Sequence, residues 1–137
     1  MKYLSDYTEE KTSNCLKKAG AFFAFSEKQL QEGKKETNAK EGTKYIALGA
    51  GIICPEDTAT QLVADMENVI KNGIAQDIKE NGLTEIIKRE LANHEAYYTG
   101  DIESTIEALA DYPIRREAVQ LVYKTQSTLE NPYQLAT

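Results

Sequence analysis

Leu62, Met66, Val69, Ile70, Ile74 and Ile78 recur at spacings of three and four, so the centre of this chain reads as one long amphipathic helix. Pro55 suits the first helical position, where a missing N–H costs nothing. Glu56 and Asp57 follow at the end where the helix dipole favours negative charge. Gly82 supplies the stop, so the expected span is about Pro55 to Asn81. A helix with a single apolar stripe is stable only when that stripe is buried against other elements. The remaining segments must therefore supply its cover.

Thr8 to Lys18 reads as a first helix, with Glu9 and Glu10 early, Lys17 and Lys18 late, and Gly20 after them. Ala21-Phe22-Phe23-Ala24-Phe25 carries all three phenylalanines and no charge, which predicts a short buried strand. Ser26 with Gln29 has the spacing of a capping box and opens a short helix to about Gln31, ending near Gly33. Gly33 to Thr43 has no apolar side chain larger than Ala39 and is expected to be a mobile loop. Lys44 to Cys54 reads as two short strands broken at Gly49-Ala50-Gly51, for which a hairpin and a bulged single strand both fit.

Beyond Gly82, one helix is expected from Thr84 to about Tyr98, closed by Gly100. Another follows from Ile102 to about Tyr112 with Asp101 as its N-cap, burying Ile102, Ile106 and Leu109. A last helix runs from Ile114 to about Thr125, burying Ala118, Leu121 and Val122. Pro113 separates these two, and residues 126–137 read as a frayed tail. The fold class is α+β: a mostly helical single domain over residues 1–125 with a small two- or three-stranded sheet and a loop at about 33–43. The expected core joins Met66, Ile70, Ile87, Leu91 and Ile106 to Phe22, Phe23 and Phe25.

The chain is long enough for one core, and 41% apolar with 28% charged residues suits a soluble globular protein. The net charge of -6 argues against direct binding to nucleic acid, which requires a basic surface. No apolar run reaches membrane-spanning length, so no membrane association is expected. The opening Met1-Lys2-Tyr3-Leu4-Ser5-Asp6 has no apolar signal core, which points to the cytoplasm and to Cys15 and Cys54 as reduced thiols. Charge is unevenly distributed. Residues 1–48 hold nine lysines and seven acids, whereas residues 49–137 hold seven basic and fifteen acidic residues. From Glu90 to Ile114 there is no Lys or Arg at all.

Three groups could carry chemistry. In the first, Leu83, Ile87, Leu91, His94 and Tyr98 fall on one face of a continuous helix, with Glu90 one turn before His94. Glu90 and His94 could then share a proton or a metal, with Asp101 or Asp111 as further oxygen ligands. The plainer alternative is a core histidine bonded to a carboxylate. His94-Glu95 also begins a metalloprotease helix motif, but that motif needs a second histidine at position 98, where Tyr98 stands.

The second group is Cys54, placed before a helix N-terminus where a thiolate is stabilised; the plainer alternative is a buried small hydrophobe. The third, Gly49-Ala50-Gly51, has neither the third glycine of a dinucleotide loop nor a Walker lysine, so it reads as a tight turn. No cofactor is implied.

Gly20-Ala-Phe-Phe-Ala-Phe-Ser26, Gly49-Ala-Gly-Ile-Ile-Cys-Pro55 and Glu90-Leu-Ala-Asn-His-Glu-Ala-Tyr-Tyr-Thr-Gly-Asp-Ile102 together resemble a family of small uncharacterised proteins of bacteriophages and mobile elements in gut bacteria. The resemblance covers roughly Gly20 to Tyr112. It implies a host-cytoplasm setting and brings no catalytic residues. The function expected from all of this is a small acidic, non-enzymatic binding or regulatory module. Glu95, Asp101, Glu103, Glu107 and Asp111 would meet a host protein with a basic surface. The alternative is a metal-assisted hydrolase centred on Glu90, His94 and Asp101.

Overall fold

A computed structural model describes residues 1–37 and 40–130. The chain is mostly helical with one small antiparallel sheet, an α+β fold. It divides into two compact units, Lys2–Gly73 and, together with Met1, Ile74–Thr137.

In the unit Lys2–Gly73, helix α1 (Leu4–Ala19) starts four residues before the expected Thr8. The carboxylate of Asp6 accepts the Tyr3 backbone N–H at 2.7 Å, and the Asp6 N–H donates to the Tyr3 carbonyl. An aspartate therefore closes this end rather than Thr8, whose side chain is buried and donates to the Leu4 carbonyl. Gly20 ends the helix in the left-handed conformation.

Strand β1 (Phe22–Phe23) is followed by helix α2 (Glu27–Glu36). Ser26 caps α2 by accepting the Gln29 N–H, and the Gln29 side chain accepts the Phe25 N–H. The helix does not end near Gly33 but continues to Glu36, which shortens the loop expected at 33–43. Gly33 remains inside the helix because the Phe22 ring lies against it; a Cβ there would sit 2.1 Å from that ring. Asn38 and Ala39, in the same expected loop, lie outside the described residues.

Of the two arrangements open to Lys44–Cys54, the hairpin is the one formed: strands β2 (Tyr45–Gly49) and β3 (Ile52–Pro55) pair antiparallel, with a register shift between Ala47 and Gly49. Its turn, Gly49-Ala50-Gly51, has positive φ at all three residues, which is why two of them are glycine. The sheet order is β1-β3-β2, so β1 lies at an edge. Alternate side chains on a strand face opposite ways. Phe22 meets Gly33 and the edge of the Tyr45 ring, whereas Phe23 is 53% exposed. Phe25 lies beyond the strand, over Gly51, and is 74% exposed. The expectation that the whole phenylalanine run is buried thus fails for two of the three. Leu16, Ala21, Cys54, Ala59 and Leu62 form this unit's core, with Leu48, Ile52 and Met66 against it.

Helix α3 (Glu56–Asn81) has the expected extent, with Pro55 ending β3 instead of opening the helix. Of its stripe, Leu62 and Ile74 are buried and Ile70 is exposed.

In the unit that begins at Ile74, helix α4 (Leu83–Asn93) stops five residues before the expected end at Tyr98. Helices α5 (Ala96–Thr99), α6 (Glu103–Ala108) and α7 (Arg116–Glu130) follow. Helix α4 packs against all three. Ile86, Ile87, Leu91, Ala96, Leu109, Tyr112 and Val119 are buried. Leu121, expected inside, is exposed; it lies two residues from Val119 and so on the opposite side of α7. α7 continues beyond Thr125 to Glu130, so the expected tail boundary is five residues early. Residues 131–137 lie outside the described residues. No described helix is long and apolar enough to cross a membrane.

Candidate functional site: an acidic stretch and a buried ionic network

The break between α4 and α5 decides how the residues around His94 are presented. His94 caps α4, its N–H donating to the Glu90 carbonyl at 3.0 Å. Glu95 then takes a left-handed conformation, with φ of 54°. A non-glycine residue there redirects the chain. The single apolar face expected through Leu83, Ile87, Leu91, His94 and Tyr98 is therefore not formed. Ile87 and Leu91 are buried, His94 is half-buried, and Tyr98 is 92% exposed.

The Glu90 carboxylate sits between the Arg89 and His94 side chains. Its Oε1 accepts from Arg89 Nε at 2.9 Å, and its Oε2 lies 3.5 Å from His94 Nε2. Glu90 and His94 thus meet, one turn apart, as their spacing suggests. Asp101 does not join them. It is exposed, and its Oδ1 accepts the Glu103 N–H at 2.9 Å, holding the start of α6. Among the described residues, no group of three or more His, Cys, Asp or Glu side chains is placed to hold a metal ion.

Behind Glu90 lies a network that the motif search did not find. Asp77 on α3 is fully buried. Arg89 grips it with two parallel bonds, Nη1 to Oδ1 at 2.9 Å and Nη2 to Oδ2 at 3.0 Å. The Tyr112 hydroxyl donates to Oδ2, and Asn81 Nδ2 donates to Oδ1 at 2.7 Å. Burial by itself would raise the Asp77 pKa, but the bonds from Arg89, Tyr112 and Asn81 outweigh it and hold the carboxyl below its ordinary value. Burial and the neighbouring carboxylate raise the Tyr112 phenol above its usual range. Thr105 on α6, also fully buried, donates to the Glu90 carbonyl at 3.3 Å. The network thus ties the end of α3 and the helices α4 and α6 together and pins Glu90.

Glu95, Asp101, Glu103, Glu107 and Asp111 are all exposed. Glu103 differs from the rest, because Arg116 binds it with two prongs at 2.6 and 2.9 Å. Those bonds keep the Glu103 carboxyl below its ordinary pKa. Among the described residues, Glu95, Glu107 and Asp111 hold no ion pair.

Cys54 is fully buried, its Sγ 3.3 Å from the Pro55 carbonyl oxygen and 3.5 Å from Thr58 Oγ1, which makes it a core residue.

Asp77 did have a sequence signal. It is a charge three residues after Ile74, inside the apolar stripe of a long helix. Nothing in the sequence, however, indicates that Arg89, twelve residues on, folds back to meet it.

Fold and site together define a small, mostly helical α+β protein with a buried ionic network and an exposed acidic stretch. The chain belongs to a family of unknown function (DUF7659), whose model matches residues 4–135. No curated protein and no solved structure matches it.

Proposed function

We propose that this chain is a non-enzymatic binding module that docks a protein partner with a basic surface through the stretch from Glu95 to Asp111. The observation that carries this reading is Tyr98, 92% exposed in a segment that contains no Lys or Arg. An exposed ring in the same stretch of chain as the exposed carboxylates of Glu95, Asp101, Glu107 and Asp111 suits a partner's arginine or lysine side chain. The ring face attracts the cation, and the acids steer its approach over about 10 Å at 0.1 M salt. Glu103 contributes less, since Arg116 already neutralises it. The resemblance to bacteriophage and mobile-element proteins directs the search for the partner to the cytoplasm of a host cell.

The test is differential capture from such cells. Wild type is compared with Tyr98→Ala and with the double variant Glu107→Lys, Asp111→Lys. These two acids are chosen because Asp101 accepts the Glu103 N–H beside the start of α6 and Glu103 pairs with Arg116. The reading expects a basic protein retained by wild type and released by both variants. Identical retention by all three would overturn it.

A further inference from the structure

A cleft of about 580 Å³ in the unit Lys2–Gly73 is lined by Gln31, Lys34, Lys35, Lys40, Thr43 and Tyr45, and by no acidic residue. Three ammonium groups around one cleft are out of keeping with a chain whose net charge is -6. Lys34 and Lys35 occupy the last turn of α2, where they complement the helix dipole. That accounts for two of the lysines but not for Lys40. The Lys34 ammonium stands 5.3 Å from the centroid of the Tyr45 ring. The Tyr45 hydroxyl is buried and has no hydrogen-bond partner among the described residues.

We infer that this cleft binds a small, multiply charged phosphate-bearing molecule. The three lysines supply point charges for its oxygens. Gln31 Nε2 donates one hydrogen to Glu27 Oε1 at 2.9 Å and has a second to offer the ligand. The ligand is compact, because the fifteen acids against seven basic residues beyond residue 48 repel an extended polyanion. This site shares no residue with the acidic stretch and stands or falls separately from it.

The experiment is a titration of the full chain with inorganic pyrophosphate at low salt, followed by amide NMR. Saturable shifts are expected at Gly42, Thr43 and Tyr45. Lys34→Gln and Lys40→Gln should each weaken binding by about tenfold, the loss of one charge-assisted hydrogen bond. Tyr45→Phe keeps the ring and removes a hydroxyl that the cleft does not reach, so it should bind as wild type does. The control Lys11→Gln, Lys71→Gln, at two exposed lysines outside the cleft, should bind as wild type does. Shifts spread over all lysine-bearing surfaces, equal losses in the control, or no saturation at millimolar pyrophosphate would overturn the inference. So would tighter binding of a single-stranded oligonucleotide than of pyrophosphate.

Discussion

Replacing Asp77 with Asn removes one charge from the interior and almost no volume. In the wild type this carboxylate accepts two bonds from Arg89, one from Tyr112 and one from Asn81, and it is fully buried. The amide retains one acceptor oxygen and turns an NH₂ toward groups that are themselves donors. Losing one member of a buried ion pair costs about 3–5 kcal/mol, because the remaining charge is stranded. Here the lower half of that range is expected, since Arg89 Nε keeps its bond to Glu90. Tyr112→Phe leaves the ion pair in place and deletes one charge-assisted bond, for about 1.5–3 kcal/mol.

The assay is urea unfolding followed by circular dichroism across pH. The folded-state pKa of Asp77 is depressed, so its contribution is complete above the unfolded value of about 3.9 and is lost as pH falls through the folded value. The gap between wild type and Asp77→Asn should accordingly close in acid. A cost under about 1 kcal/mol near neutrality, or a gap that persists in acid, would refute a buried, ionised Asp77.

Leu91→Ala should cost about 2–5 kcal/mol in the same assay, because the side chain is fully buried on α4. Gly33→Ala should cost about 1–3 kcal/mol by forcing the Phe22 ring off α2, with loss of the Phe22–Tyr45 edge contact visible as changed ring shifts in NMR.

Much of the architecture is legible in local signals. The long helix follows from the spacing of Leu62 through Ile78 and from Gly82, and the break between β2 and β3 follows from Gly49-Ala50-Gly51, which leaves a hairpin and a bulged single strand both open. Ser26 marks the start of α2 through its side chain, and Gly20 the end of α1 through its left-handed backbone. What was not legible depends on contacts distant in sequence or on rare backbone states. The left-handed turn at Glu95 has no glycine or asparagine to announce it, and it moves Tyr98 from an expected core face into solvent. Gly33 looks like a helix stop because the phenyl ring that requires it comes from β1. The exposure of Phe23 follows from β1 lying at the sheet edge, which strand composition does not reveal. At the candidate site, the pairing of Glu90 with His94 was readable from their spacing, whereas the Arg89–Asp77 bond that lies behind it was not.

The binding account is tested most directly by titrating the chain with a synthetic arginine-rich peptide at several salt concentrations while following the Tyr98 ring and the amides from Glu95 to Asp111 by NMR. Saturable shifts at Tyr98 and along this stretch are predicted, with affinity falling as salt rises and falling again in the Glu107→Lys, Asp111→Lys variant. A peptide that binds with the same affinity in that variant, or that leaves the Tyr98 ring unmoved, would contradict the account.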